Sequence, residues 1–184
     1  MSRTIRIGAG SAWWGDRIEP AALNAARGDL DYLCFETMAE ATVSAAQVRA
    51  RRDPTFPGYD TYLDERMRAV LPHCLKRGTR VITNQGWINP EGAAQRIVHW
   101  LRELGARGVK VAAISGALIT DRVLELTDTI LENGRPTATL ADSLVSAEVY
   151  LGAEPIVDAL GQDARIVVSG RVADPSIFMA PMMH

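Results

Sequence analysis

Short apolar runs alternate along the chain with longer segments in which apolar residues recur at helical spacing. Runs of this kind, four to seven residues long and bounded by turn residues, indicate buried β-strands, and the longer segments indicate amphipathic helices. The predicted strands are the run that opens at Ile5 and residues 30–35, 79–83, 109–115 and 165–168. The predicted helices are 21–27, 39–52, 62–76, 90–104, 120–128 and 153–160.

The alternation of strands and helices predicts an α/β fold. Strand runs that are almost entirely apolar are typical of a parallel sheet covered on both faces, so we expect an open, three-layer, Rossmann-like arrangement. A partial β/α barrel is the alternative. Residues 1–184 are expected to form a single α/β domain, with a loop at 53–62 and an assignment left open between strand and helix at 137–147.

Composition narrows the class of protein. The net charge is −2 and the Lys and Arg residues are scattered, which argues against a nucleic-acid surface. No signal peptide precedes the first strand and no apolar run is long enough to span a bilayer. The cysteines, Cys34 and Cys74, form no C-x-x-C pair, and Cys34 lies inside an apolar strand run. We therefore expect a cytoplasmic protein with no membrane segment.

Polar residues follow four of the predicted strands. The carboxyl ends of parallel strands face one crevice, where carboxylates can act as bases or hold a cation, Arg can clamp an anion and amides can orient a carbonyl. The candidate catalytic residues are Asp16, Glu36, Asn84, Arg171 and Asp174. The candidate substrate- or cofactor-binding residues are Gly10, Ser11, Trp13, Trp14, Arg17, Gly86, Trp87, Ser169 and Gly170.

Each candidate also has a structural interpretation. Asp16 can cap the next helix, Asn84 can favour a turn, and Arg171 can pair internally with Asp174 while Asp174 caps the following helix. Glu36 is harder to explain structurally, because a carboxylate directly after an apolar strand is partly buried. Asn89 is expected to be a helix cap.

The glycines that follow the first strand favour no particular cofactor. Their spacing departs from G-x-G-x-x-G because Trp13 stands where the third glycine belongs, and a bulky ring there hinders a pyrophosphate. No zinc motif is present either, since His73 and His99 have no partner at ligand spacing. The sequence therefore leaves both metal and cofactor undefined.

The chain ends in an apolar segment, residues 176–184, that is predicted to begin a helix. An apolar helix needs a surface that covers it. We therefore expect either that the chain is part of a longer protein or that it forms a homo-oligomer through this segment.

Five stretches together resemble the acyclic terpene utilisation protein A family. They are residues 5–17 (IRIGAGSAWWGDR), 30–36 (LDYLCFE), 80–84 (RVITN) with the Asn-Pro at 89–90, 150–155 (YLGAEP) and 169–174 (SGRVAD). The loop at 85–88 departs from the small residues of that family. The resemblance implies a longer architecture of which this chain is the N-terminal part, and a link to the breakdown of branched isoprenoid acids through acyl-CoA thioesters. It assigns no catalytic roles.

These observations favour a catabolic enzyme, of lyase or hydratase type, that acts on a carboxylated or CoA-linked branched acyl substrate. In this hypothesis Glu36 is a general base or metal ligand, Arg171 clamps a carboxylate or phosphate, and Asn84 orients a carbonyl. Two alternatives remain: a nucleotide- or cofactor-binding module, and a non-catalytic assembly subunit.

Overall fold

The computed structural model describes residues 4–184. The strands are β1 (Ile7–Ser11), β2 (Tyr32–Phe35), β3 (Arg80–Thr83), β4 (Val111–Ile114) and β5 (Ile166–Ser169). The helices are α1 (Glu19–Arg27), α2 (Glu40–Arg52), α3 (Leu63–Arg77), α4 (Pro90–Glu103), α5 (Thr120–Val123), α6 (Glu154–Gly161) and α7 (Ser176–Met183), with a 3-10 helix at Thr137–Leu140.

Within residues 4–184 the strands form a parallel sheet in the order β1-β2-β3-β5-β4. The two outer strands, β1 and β4, do not pair, so this sheet is open. The α/β prediction is therefore confirmed, and the barrel alternative is wrong for the described residues.

Helices cover both faces of the sheet. Alternate residues of a strand point to opposite faces. Leu33 and Phe35 of β2 accordingly pack with α1, α3 and α4, whereas Cys34 packs with α6 and α7. This arrangement confirms the predicted three layers.

A smaller apolar cluster lies apart from these two layers and includes residues from the segments that follow strands β2 and β3. It contains Met38 after β2 and Trp87 after β3, packed with Ala46 of α2 and with Phe56 of the loop that follows α2. Helix α2 and the predicted loop at 53–62 therefore lie beside the carboxyl edge of the sheet, where they bound the site described below.

The segment after β4 differs most from expectation. The helix predicted over 120–128 is the single turn α5, and the undecided segment at 137–147 is a 3-10 helix followed by turns. Leu126 and Leu131 are 44% and 95% exposed. A helix is stabilised chiefly by burial of its apolar face, and this segment buries little of one.

The apolar end of the chain is partly covered by the sheet. Ile177 and Ala180 of α7 are fully buried, whereas Met179, Met182 and Met183 are about half exposed. Oligomerisation through this helix stays a prediction. Among residues 4–184, no helix is long and apolar enough to cross a bilayer.

Both cysteines lie in the core, and the structure predicts that both are unreactive. Burial raises the pKa of each thiol to about 12. Because the thiolate is the reactive form, neither Cys34 nor Cys74 should react with an aromatic disulfide reagent at about pH 8 in the folded protein. Both should react after unfolding in urea. A thiol that reacts with the reagent within seconds in the folded protein would contradict this burial.

The predicted cap of α4 is confirmed and generates a second prediction. Asn89 Oδ1 accepts a hydrogen bond from the Gly92 amide at 2.9 Å, and Asn89 Nδ2 donates to the Pro57 carbonyl at 2.8 Å. Asn89→Ala should lower the free energy of unfolding by about 1–2 kcal/mol in urea titrations. Asn89→Ser also loses the hydrogen bond to Pro57 but keeps a capping oxygen, so it should lose less than Asn89→Ala. Equal losses for the two variants would show that the cap contributes nothing.

Candidate functional site

The strand register places three candidate residues at one height on the sheet. Phe35 pairs with Thr83, and Thr83 pairs with Val168. The next residue of each strand or strand end is therefore Glu36, Asn84 or Ser169, and these three lie side by side. Ser11, at the end of β1, joins them because its hydroxyl donates to the Glu36 carbonyl at 2.9 Å.

Glu36 and Asn84 form the polar centre of this edge. Asn84 Nδ2 donates to Glu36 Oε1 at 3.0 Å, and the Met38 amide donates to the same oxygen at 2.8 Å. Asn84 is fully buried and is itself held through Oδ1 by the Thr37 amide at 2.7 Å. No described residue donates a hydrogen bond to Glu36 Oε2. The half-buried carboxylate is thus fixed through one oxygen, and its other oxygen has no hydrogen-bond donor among the described residues.

Arg171 is fully buried, and its terminal nitrogens bind groups of the protein itself. Nη2 contacts Glu40 Oε1 at 2.7 Å, and Nη1 contacts Asp174 Oδ1 at 3.0 Å and the Met38 carbonyl. The guanidinium also lies 4.2 Å from the centre of the Tyr150 ring. This is the internal ion pair that the sequence left as the alternative to a clamp. A substrate carboxylate would have to displace Glu40 or Asp174, whose side chains are 69% and 54% exposed.

Asp174 and Asp16 do not cap the helices that follow them. The N-cap positions of α7 and α1 are occupied by Pro175 and Ile18, not by the two aspartates. Neither helix has a side-chain cap in the described chain. The Asp16 carboxylate instead accepts hydrogen bonds from the backbone amides of Ala12 and Trp13, at 2.7 and 3.0 Å. Such amides are the donors that a phosphate-binding loop would present to its ligand. In this loop a carboxylate of the protein already occupies them.

The candidate glycines serve close packing. A Cβ added to Gly10 would lie 2.4 Å from the Phe35 ring, and one added to Gly86 would lie 2.5 Å from the Ser169 carbonyl oxygen. A Cβ on Gly170 would lie 2.8 Å from the Trp87 carbonyl oxygen. The Phe35 ring explains why residue 10 must be a glycine, with no need for a bound pyrophosphate. The other two contacts show that Gly86, Ser169, Gly170 and Trp87 are neighbours.

Three tryptophans form an aromatic wall beside this centre. Trp14 stacks on Tyr62 with ring centres 5.6 Å apart and meets Trp87 edge-on at 6.5 Å, while Trp13 is 54% exposed. Trp87 is tied to the polar centre because its indole nitrogen donates to Thr37 Oγ1 at 3.3 Å. The tryptophans that were predicted to form a ligand wall thus lie together on one surface.

A buried ion pair that sequence analysis missed holds the tryptophan loop. Arg66 and Asp60 are both fully buried and meet at 2.6 Å, and Gln85 Nε2 donates to the same Asp60 oxygen at 2.9 Å. Burial raises the pKa of the Asp60 carboxyl, and the Arg66 charge opposes that rise. Arg66 Nη2 also donates to the backbone carbonyls of Trp14 and Asp16. The pair therefore connects α3 to the loop that carries the aromatic wall.

Sequence analysis also missed the residues near Arg171 that come from the irregular segment after β4. Glu148 accepts a hydrogen bond from Gln47 at 2.7 Å, and burial raises the pKa of the Glu148 carboxyl. Tyr150 donates to Glu40, and this hydrogen bond, with the charge of Arg171, lowers the pKa of Glu40. No helix or strand periodicity marked Glu148 and Tyr150, because they lie outside any regular element, and the family motif at 150–155 assigned Tyr150 no role.

The predicted residues thus fall into two groups. Ser11, Glu36, Asn84 and Ser169 share the carboxyl edge, as do the residues that pack directly on them. Asp16 and the exposed Arg17 belong to the tryptophan loop, and within residues 4–184 no hydrogen bond or ion pair joins either side chain to Glu36 or Asn84. Nor do residues 4–184 contain a cluster of three or more His, Cys, Asp or Glu residues that could hold a metal ion.

Comparison with known proteins identifies the family. The family described as "Acyclic terpene utilisation family protein AtuA" matches residues 5–184. The chain belongs to the AtuA family. Every candidate site residue lies within the match, and membership links the chain to acyclic terpene utilisation. Neither the curated proteins nor the solved structures contain a match.

The buried pair of this AtuA-family chain generates a prediction about stability. Asp60→Asn should lower the free energy of unfolding by about 3–5 kcal/mol, because it leaves the Arg66 charge buried without a counter-charge. Asp60→Asn combined with Arg66→Met should cost less than the sum of the two single changes. Thermal melts of the four proteins measure this coupling. Additive losses would show that the two side chains do not act as a pair.

Proposed function

We propose that this chain is all or part of a cytoplasmic catabolic enzyme that acts on a branched acyl substrate, either a free carboxylate or a CoA thioester. The reaction class that we assign is that of a lyase or hydratase. Membership of the AtuA family supports the link to acyclic terpenes, and the arrangement of Glu36 and Asn84 supports a proton-transfer reaction.

The orientation of Glu36 is the observation that carries this proposal. Hydratases and lyases need a base that removes a proton from water or from a carbon next to a carbonyl group. The Glu36 carboxylate lies at the carboxyl edge of a parallel sheet, the usual position of a catalytic group in this fold class. Its Oε1 is held by two donors, which orients Oε2 without occupying it.

Asn84 supports this role in two ways. Its amide group holds Glu36 in place, so it acts first as a positioning residue. Because Asn84 is fully buried, the second hydrogen of the same Nδ2 group would bind a substrate carbonyl oxygen only after the residues that cover it move. Polarisation of that carbonyl would make the neighbouring carbon–hydrogen bond more acidic.

The assembly alternative has one observation in its favour. The three half-exposed methionines of α7 form an apolar surface that a second subunit could cover. The nucleotide-binding alternative has less support, because Asp16 already binds the loop amides that a phosphate would need.

Glu36→Gln provides the test of function. Glutamine keeps an oxygen that accepts the two hydrogen bonds but cannot act as a base. Turnover of a panel of branched acyl-CoA thioesters and the corresponding acids, followed by mass spectrometry, should fall on the order of a hundredfold or more. The melting temperature should change little for Glu36→Gln, whereas Glu36→Ala should lower it, because alanine leaves the buried Asn84 amide without its acceptor.

The control is Glu65→Gln, since Glu65 is an exposed carboxylate on α3. Its activity should equal that of the unmodified chain. A folded Glu36→Gln protein with full activity would exclude Glu36 as the base.

A further inference from the structure

A cavity of about 430 Å³ opens beside the aromatic wall and is not filled by any side chain of the described residues. Three of the four tryptophans of the chain line it. The opposite wall consists mainly of the alanines Ala39, Ala41, Ala45 and Ala46, with Arg49 and Phe56 beside them. The volume is that of a small-molecule site, and the walls are mainly apolar.

Side-chain size on the two sides accounts for the empty space. The facing wall consists of large rings, and Trp14 is held in place by its stack on Tyr62 and by the bonds from Arg66 to the loop backbone. Helix α2 and the residue before it present alanines opposite those rings. Protein interiors are normally close-packed, so large rings opposite small side chains leave room for a group that the chain does not supply.

Arg49 is the one charged residue among those that line the cavity in the described part of the chain. Its guanidinium lies 4.4 Å from the centre of the Phe56 ring, and its contact with Asp53 is loose at 3.7 Å. The side chain is 53% exposed, so the charge stands where the apolar cavity meets solvent. This placement suits a ligand with an apolar body and an anionic end.

We infer that this cavity binds the aliphatic chain of an amphiphilic anion, with the chain between the tryptophans and α2 and the anionic group at Arg49. Burial of the chain against the rings supplies the affinity, and Arg49 selects the charge of the head group. The inference does not depend on the proposed function, because neither Glu36 nor Asn84 lines the cavity and a carboxylate held at Arg49 is not the carbonyl group that Asn84 would bind. Binding itself needs no turnover.

Decanoate below its micellar concentration is the probe, titrated into the full chain by calorimetry and by tryptophan fluorescence. We expect saturable binding of one molecule per chain and a change in tryptophan emission. Butyrate, which is too short to fill the cavity, should bind far more weakly. Absence of saturable decanoate binding would overturn the inference.

Ala45→Leu tests the location of the chain. Ala45 lines the cavity on the exposed side of α2. A leucine there should fill part of the cavity without disturbing the packing of the buried core. Decanoate affinity should fall by about tenfold. The matched control is Ala50→Leu, an exposed alanine of the same helix that lies outside the cavity lining. Equal affinity for the two variants would place the ligand elsewhere.

Arg49→Gln tests the head group. The unmodified chain should prefer decanoate to decyltrimethylammonium, and the variant should lose that preference while Arg52→Gln keeps it. An unchanged preference in Arg49→Gln would overturn the role of Arg49. Glu36→Gln separates this inference from the proposed chemistry, because it should bind decanoate normally whether or not Glu36 is the catalytic base.

Discussion

The candidate site depends on the hydrogen-bond register between the central parallel strands. Because β2, β3 and β5 are paired without a shift, the residues that follow Phe35, Thr83 and Val168 end at the same height. A slip of one residue would turn the Glu36 side chain to the other face of the sheet and away from Asn84. The apolar strands and the helices on both faces fix that register, so core packing determines the geometry of the polar centre.

A second level of order holds the groups that surround this centre. The aromatic wall lies on an irregular loop, and irregular backbone has no ladder of its own to fix it. Here the hydrogen bonds come from Arg66 of helix α3, which is held by Asp60 and donates to two backbone carbonyls of the loop. Arg171 has a similar role on the opposite side, where it joins the turn after β5 to the Met38 backbone and to Glu40. Buried arginines thus organise both margins of the site.

Most of the fold could be predicted because it follows from local patterns. Apolar runs indicated all five strands, and Asn89-Pro90 marked the start of α4. Contacts between distant residues were harder to foresee. Arg66 lies on the same helical face as Leu63 and Val70, and an arginine on that apolar stripe was a signal of burial, but its partner lies in a loop rich in Pro, Gly and Tyr that suggested solvent exposure. Glu148 and Tyr150 reach Arg171 and its neighbours from a segment without periodicity. The identities of the strand-end residues and the local pair of Arg171 with Asp174 were predictable, whereas the partners distant in sequence were not.

The strand order has a consequence for how the chain acquires its structure. Strand β5 is inserted between β3 and β4, although β4 precedes it in sequence. During synthesis, β1, β2 and β3 can pair in the order in which they emerge, but β4 has no neighbour in the sheet until residues 166–169 are available. Insertion of the last strand therefore completes the sheet, aligns the turn bearing Arg171 with Glu40 and closes the long loop between β4 and β5 in one event. Such non-local pairing slows folding, and the polar centre would reach its final form only at this step.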